Sequence, residues 1–202
     1  MKIDAFAIPI FHDTLDITSD VNDVLWETVI KHEQTQDRSG KNVKQTNLGL
    51  EQQYACFASL AGIITNWSRE KIIETGSDPV SGEAMSFWAN YINKPYSFHM
   101  PHAHTVNGFM WTGVYFPKGD PDEVLESSNL PKPGSLVLMD PLGAMKTSMA
   151  SNKTQLWPYW GNPICIQPKE STVVIFPSYL SHMVTPTETN EERMSIAFSI
   201  AN

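Results

Sequence analysis

The second half of the chain is a series of short segments that favour β-strands, and this pattern restricts the fold more than any other feature. The segments are rich in β-branched and aromatic residues, and Pro, Gly or Asn separates each one from the next. They comprise residues 84–91, 109–116, 135–139, 172–176 and 194–200. Many short strands without helices between them predict an antiparallel sandwich or a jelly roll.

The first half has a different pattern, which predicts mostly helices. Residues 18–20 offer N-cap side chains, and apolar residues follow at helical spacing over 21–29. Residues 50–67 predict a second helix, and residues 68–76 predict a short third one. The polar stretch 37–47 predicts a loop.

The two halves are expected to form one domain. A length of 202 residues suits a single domain, and an apolar content of 41% is enough for a sizeable core. We expect residues 1–202 to form that domain, with mostly helical support in 1–80 and a jelly-roll core in 84–202. The predicted fold class is therefore mainly β with N-terminal helices.

The charge of the chain excludes one class of partner. The net charge is −8, and only three arginines occur, Arg38, Arg69 and Arg193. Because no basic stripe is visible, binding to a nucleic-acid backbone is not expected. An anionic small ligand would need a local positive group, so the position of each arginine is informative.

The cysteines and the apolar segments give an expectation about the compartment. Cys56 and Cys165 are far apart and form no C-x-x-C pattern, so we expect reduced thiols in a cytoplasmic protein. Residues 1–9 lack the long apolar run of a signal peptide, and no stretch approaches the length needed to span a bilayer. The sequence predicts no membrane partner and does not define an oligomeric state.

Three of the six histidines form the pattern of a metal site. Side chains alternate along a strand, so His102 and His104 share one face, whereas His99 can point elsewhere. His182 follows an apolar strand and can lie across the barrel from the pair, as a third ligand. The alternative is a pair that only hydrogen-bonds a loop. His12 and His32 have no partners in sequence and are expected at the surface or as satisfied core residues.

The last predicted strand adds a positive group. Its apolar residues share one face, while Arg193, Ser195 and small residues share the other. An arginine beside a serine hydroxyl is a good receptor for a carboxylate. The alternative is an arginine that pairs with Glu191 or Glu192 at the surface.

Taken in order, these residues resemble a known family. The spacing H-x-H, a long gap, H, ten residues and R-x-S resembles the iron(II)- and 2-oxoglutarate-dependent oxygenase superfamily. The resemblance is closer to the uncharacterised oxygenase-like proteins of marine phages and bacteria, and it runs from about residue 84 to the C-terminus. The matching elements are Trp88, residues 102–104, residues 112–116, residues 176–186 and residues 193–195.

The resemblance implies a fold, cofactors and roles for individual residues. It implies a double-stranded β-helix, which is a cupin-like jelly-roll barrel, with supporting helices. Iron(II) would be held by His102 and His182 with a third ligand at His104, and the distal carboxylate of 2-oxoglutarate would be bound by Arg193 and Ser195. The implied activity is that of a dioxygenase, which hydroxylates a substrate while 2-oxoglutarate is converted to succinate and carbon dioxide.

Two positions depart from the pattern of the superfamily. His104 stands where a carboxylate is usual, and three neutral histidines suit zinc as well as iron. Whether His104 ligates is therefore an open question. Phe116 stands where related proteins often have a tyrosine that helps to hold the co-substrate. Thr112, Val114 and Phe116 should share an inward face, so Arg193 is expected to depend more on Ser195 and Thr112.

Two other functions remain in competition. A cupin-like metal-binding protein would carry a glutamate shortly after the histidine pair, whereas residues 105–109 contain none. A structural jelly roll with a zinc or other metal site would have a closed set of four ligands, recruiting His99, and no room for an anion at Arg193. The primary substrate is not identified. Residues 140–161 contain three aromatic side chains and are expected to cover the barrel mouth or to form a packed lid.

Overall fold

Two antiparallel sheets and three helices make up the part of the chain that the computed structural model describes, residues 7–76, 86–104, 108–119, 125–126, 132–141, 163–189 and 191–201. The strands are β1 (Phe11–Thr14), β2 (Gln34–Gln36), β3 (Gly40–Lys41), β4 (Val43–Thr46), β5 (Ser86–Ile92), β6 (Phe98–His102), β7 (Phe109–Phe116), β8 (Leu125–Glu126), β9 (Leu136–Leu138), β10 (Ile164–Ile166), β11 (Thr172–Pro177), β12 (His182–Val184) and β13 (Arg193–Ala201). The helices are α1 (Ser19–Lys31), α2 (Leu50–Gln53) and α3 (Ala55–Glu74).

The strands divide into a larger and a smaller sheet. The major sheet has seven strands in the order β1-β11-β7-β13-β5-β4-β2, and the minor sheet has six in the order β3-β6-β12-β9-β10-β8. Neighbouring strands in both sheets are antiparallel, and several neighbours are distant in sequence, as in a jelly roll. The expected double-stranded β-helix with supporting helices is thereby confirmed.

The alternation predicted for the last strand sets the position of the core. Met194, Ile196 and Phe198 are fully buried, and they pack with residues of the helices such as Leu25 and Phe57. The opposite face of β13 points into the space between the two sheets. A second apolar cluster joins the sheets there, with members from β7, β9, β10 and β11. The helices therefore cover the outside of the major sheet and leave the inter-sheet space free for a site.

The N-terminal half contains more strand than its sequence indicates. The prediction of a loop over 37–47 is wrong, because β3 and β4 lie in this stretch. Each pairs with a strand from the second half, β3 with β6 and β4 with β5. These long-range pairings, together with the burial of Val43, outweigh a local composition that favours a loop.

The helices also differ from their predicted bounds. The helix predicted over 50–67 is interrupted at Tyr54, whose extended backbone (φ −132°, ψ 128°) separates α2 from α3. Helix α3 then continues to Glu74, so the separate short helix predicted over 68–76 does not exist. Ser68 lies inside α3, where its hydroxyl donates to the carbonyl of Thr65 instead of capping a new helix.

Two further expectations can be compared with the described residues. Neither Cys56 nor Cys165 forms a disulfide within the described residues, and Cys165 is buried whereas Cys56 is only partly buried. None of the helices in these residues is long and apolar enough to cross a membrane.

Candidate active site

A β-bulge brings three histidines together on the inner face of the minor sheet. His182 on β12 is paired with His102 on β6, whereas Val184 is paired with His99, so β6 carries one extra residue between these pairs. One nitrogen from each of His102, His104 and His182 lies within 4.8 Å of the others. The ring centroids of His102 and His182 are 4.4 Å apart. This cluster has the size and the donor set of a site that can hold one metal ion.

Backbone carbonyls fix the rings of two of these histidines. The Nδ1 atom of His102 lies 2.8 Å from the Met100 carbonyl oxygen, and Nδ1 of His182 lies 3.0 Å from that of Leu180. A carbonyl oxygen only accepts, so both Nδ1 atoms carry the hydrogen and donate it. In the neutral ring the lone pair is then on Nε2, the free nitrogen that can bind a metal. This is the outer-shell contact typical of metal-bound imidazoles.

The environment of the cluster keeps its members neutral. Burial, together with the neighbouring His102, lowers the pKa of His182 to about 3. Burial also lowers the pKa of His104 to about 4, again assisted by His102. The pKa of His102 is lowered by burial against the opposing effect of the Met100 carbonyl. Three neutral imidazoles, each with one unprotonated ring nitrogen at neutral pH, are suited to a divalent transition metal.

Arg193 enters the same pocket from the major sheet. Its Nε donates to the Gly134 carbonyl oxygen at 3.1 Å, and its guanidinium lies 5.6 Å above the Phe116 ring. Burial lowers its pKa to about 10, so the group remains charged at neutral pH. Glu192 accepts a hydrogen bond from Tyr91, and no carboxylate among the described residues lies within 4.0 Å of Arg193. The surface ion pair considered as an alternative is not formed among these residues.

The pocket between the sheets is elongated, with the histidines and Arg193 both in its lining and a volume of about 210 Å³. Thr112, Val114 and Phe116 all line it, as their predicted inward face requires. Trp88 also lines it and stands 5.6 Å from the His104 ring.

The register separates two residues that were expected to act together. Thr112 is paired with Ser199, which lies six residues along β13 from Arg193. At 3.4 Å per residue this is a separation of roughly 20 Å between backbone positions. Thr112 therefore lies towards the histidine end and does not support Arg193, whereas Ser195 lies two residues from it and is buried. The Thr112 hydroxyl donates to the Phe198 carbonyl at 3.0 Å, which leaves its oxygen as an acceptor.

Several polar residues of the pocket were missed by the sequence reasoning. Asp37, Ser39, Gln45 and Asn90 also line it, and His99 points into it instead of elsewhere. Pro101 in the middle of β6 was the available signal, because proline inside a strand often marks a bulge. No comparable signal in the sequence connected Asp37 or Gln45 with the histidines.

A double-stranded β-helix that carries imidazoles and an arginine in one pocket defines the class of metal-dependent oxygenases with a carboxylate co-substrate. The particular family follows from the sequence. Residues 86–199, more than half of the chain, match the family described as "Putative 2OG-Fe(II) oxygenase", and the chain belongs to this family. It is a 2-oxoglutarate- and iron(II)-dependent dioxygenase, which acts with that small-molecule co-substrate and a primary substrate.

Solved structures with the same fold support the architecture. A prolyl-4-hydroxylase from Pseudomonas putida is 13% identical with a TM-score of 0.66, and the match covers 96% of this chain and 93% of that one. The epimerase SnoN from nogalamycin biosynthesis is 12% identical with a TM-score of 0.64, covering 96% and 77%. HygX from Streptomyces hygroscopicus, with nickel and 2-oxoglutarate bound, is 11% identical with a TM-score of 0.60, covering 96% and 83%. No curated protein sequence matches the chain.

One sequence expectation lies outside the described residues. The aromatic cluster Trp157, Tyr159 and Trp160, expected to cover the barrel mouth or to pack as a lid, falls in the stretch 142–162. Its role therefore stays a prediction.

Proposed function

We propose that His102, His104 and His182 hold iron(II) and that Arg193, Ser195 and Thr112 hold 2-oxoglutarate in the pocket between the sheets. The observation that carries this proposal is the joint presence, in one pocket, of three neutral imidazole donors and a guanidinium without a carboxylate partner among the described residues. The donor set fits a divalent metal, because two of the three rings direct an unprotonated Nε2 away from the carbonyls that hold them.

Each residue has a separate task in this proposal. Arg193 binds the distal carboxylate, and the Phe116 ring and the Gly134 carbonyl hold its guanidinium in place. Ser195 donates a second hydrogen bond at the same end. Thr112 offers its hydroxyl oxygen at the histidine end. The apolar side chains of Val114, Leu136 and Val184 line the space between and exclude water.

The bound cofactors supply the oxidising power: dioxygen oxidises 2-oxoglutarate to succinate and carbon dioxide, and the second oxygen atom goes to the substrate. We propose hydroxylation of a carbon–hydrogen bond as the reaction of the primary substrate. The structurally similar proteins include a hydroxylase and an epimerase, so the fold alone does not select the reaction. A cytoplasmic location agrees with two cysteines that form no disulfide, and it stays a prediction.

The structural zinc protein is the second candidate, and the pocket argues against it. That function requires a fourth ligand, and the candidate His99 has its Nε2 atom 2.8 Å from Asp37 and outside the histidine cluster. It also requires a closed site, whereas Arg193 lies in the lining of a pocket of about 210 Å³.

Formation of succinate tests the proposal. The protein is incubated with iron(II), 2-oxoglutarate and dioxygen, and succinate is measured over time. We expect slow formation without a primary substrate, lost in His182→Ala and strongly reduced in Arg193→Ala. Thermal melting with cobalt(II) provides a second measurement, because 2-oxoglutarate should raise the melting temperature only when metal is bound. Tightly bound zinc together with no succinate under any condition contradicts the proposal.

A further inference from the structure

A buried carboxylate and a buried histidine lie beside the proposed metal ligands without belonging to them. The Oδ2 atom of Asp37, in the connection between β2 and β3, lies 2.8 Å from Nε2 of His99 on β6. The two side chains are 10% and 7% exposed. The ring of His99 stands edge-on to that of His102 with centroids 5.8 Å apart. The chain of contacts therefore runs from the Asp37 carboxylate through His99 to a ligand of the cluster.

The local structure holds this carboxylate firmly. The backbone amide and the hydroxyl of Ser39 donate to its two oxygens at 2.9 and 2.8 Å. Gly40 packs so closely on His99 that a Cβ atom would lie 2.6 Å from the ring and 2.7 Å from the Phe98 carbonyl oxygen. Only glycine therefore lets β3 pair with β6 at this point. The pairing keeps Asp37 against the histidine.

Asp37 remains ionised although it is buried. Burial raises the pKa of its carboxyl group, but the contact with His99 and the hydrogen bonds from Ser39 outweigh this effect and hold the pKa well below its usual range. No Lys or Arg among the described residues lies within 4.0 Å of it. The N–H direction of His99 is not aimed at the Asp37 oxygen, so the two side chains are in close contact without a well-directed hydrogen bond.

The negative charge of Asp37 corresponds to the charge that a ligand set of three histidines lacks. A site with two histidines and one carboxylate carries one positive charge with a divalent metal, whereas three neutral histidines leave two. Asp37 is the single carboxylate among the described residues that line the pocket. The charge of Asp37 raises the pKa of His102 against the opposite and larger effect of His99, and attraction between partly buried charges is weakly screened.

We propose that Asp37, held by Ser39 and positioned through His99, is an outer-shell anion that replaces the charge of the carboxylate ligand for which His104 stands. This inference rests on the proposed function, because it assumes that the three histidines bind the metal. Asp37 is a positioning residue of the metal site and does not touch the metal. A contact that only fastened the N-terminal strands to β6 would predict an effect on folding and none on metal affinity.

Metal affinity in matched variants tests the proposal. Cobalt(II) is titrated into metal-free protein under anaerobic conditions, and its visible absorption gives the affinity. Asp37→Asn keeps the shape and one of the two acceptors for Ser39 but removes the charge, and we expect a loss of metal affinity of about 10- to 100-fold, the range for outer-shell partners. Asp37→Glu keeps the charge and should stay within about threefold of the wild type. Asp23→Asn, which removes an exposed carboxylate paired with Lys118, is the control for net charge.

The outcomes separate this inference from the function on which it rests. A wild-type protein that binds no cobalt contradicts the metal site itself. If the wild type binds and Asp37→Asn binds no more weakly than Asp23→Asn, only the role of Asp37 is overturned. If Asp37→Asn does not fold, as shown by the lack of a cooperative melting transition, Asp37→Glu is measured in its place. Preserved cobalt affinity in Asp37→Glu supports a role for the charge, and a loss of tenfold or more contradicts it. In a His104→Asp background the effect of Asp37→Asn should shrink to about threefold or less, and an undiminished effect also contradicts the proposal.

Discussion

The two sheets bring opposite chemistry to one pocket. The minor sheet carries His102 and His182, which burial keeps neutral and unprotonated, whereas the major sheet carries the charged guanidinium of Arg193. The register places these groups on different strands with no shared hydrogen bond among the residues described. Metal binding and co-substrate binding should therefore be separable by mutation.

The largest effect is expected on the minor sheet. His182→Ala removes a proposed ligand, whose ring centroid is 4.4 Å from that of His102 and 5.1 Å from that of His104. Loss of an outer-shell partner alone costs 10- to 100-fold in affinity, so the loss of a ligand should exceed about a hundredfold. Titration with cobalt(II) measures it. Unchanged affinity would show that the metal binds elsewhere.

On the major sheet, Arg193→Ala should weaken 2-oxoglutarate binding by about a hundredfold, since charge-assisted hydrogen bonds contribute about 1.5–3 kcal/mol each. Arg193→Lys keeps the charge but lacks the planar guanidinium, so its affinity for 2-oxoglutarate should lie between those of the wild type and Arg193→Ala. Calorimetry on cobalt-loaded protein gives the co-substrate affinity. Because the proposed metal ligands lie on the other sheet, cobalt affinity should change by less than about threefold in both variants. A parallel loss of metal binding would show that the two functions are not separable.

A smaller effect should decide whether His104 belongs to the minor-sheet site. His104→Ala is expected to weaken cobalt binding by at least about tenfold, because the third donor is lost. His104→Asp returns the carboxylate usual in the superfamily and should restore binding. Equal affinity in the wild type and in His104→Ala would reduce the site to two histidines.

The smallest effect concerns the stability of the metal-free protein in acid. Burial lowers the pKa of His182 to about 3 in the folded state, below the ordinary value of 6.5. The unfolded chain then binds more protons between these values, so stability falls as the pH falls through 6.5. His182 alone should lower the free energy of unfolding by about 1 kcal/mol between pH 6.5 and 5.5. Urea unfolding at the two pH values measures the loss, and His182→Gln should show less of it.

The sequence predicted those parts of the site that depend on local periodicity. Alternation along β13 separated Arg193 and Ser195 from Met194 and Ile196, and the structure keeps this division because one face meets the helices. The H-x-H pair was predicted from the same alternation, but β6 ends at His102 and His104 lies two residues beyond it. The division along β13 follows from a period of two residues and needs no knowledge of the fold.

The other parts of the site depend on contacts between segments that are distant in sequence. The bulge that turns His99 into the pocket arises from the pairing of β6 with β12, and the contact with Asp37 arises from the pairing with β3. The position of Thr112 relative to Arg193 is a matter of register between β7 and β13. Register and long-range pairing are set by the packing of the whole fold, which a local pattern of polar residues over 37–47 does not contain.

The central claim is that one pocket joins a metal on the minor sheet to a carboxylate on the major sheet. Anaerobic addition of iron(II) and 2-oxoglutarate, followed by visible spectroscopy, tests it most directly. We expect a weak charge-transfer band that requires both components, disappears in His182→Ala, and in Arg193→Ala appears only at about a hundredfold higher 2-oxoglutarate. A wild-type protein that binds iron(II) but shows no band at saturating 2-oxoglutarate would contradict the account.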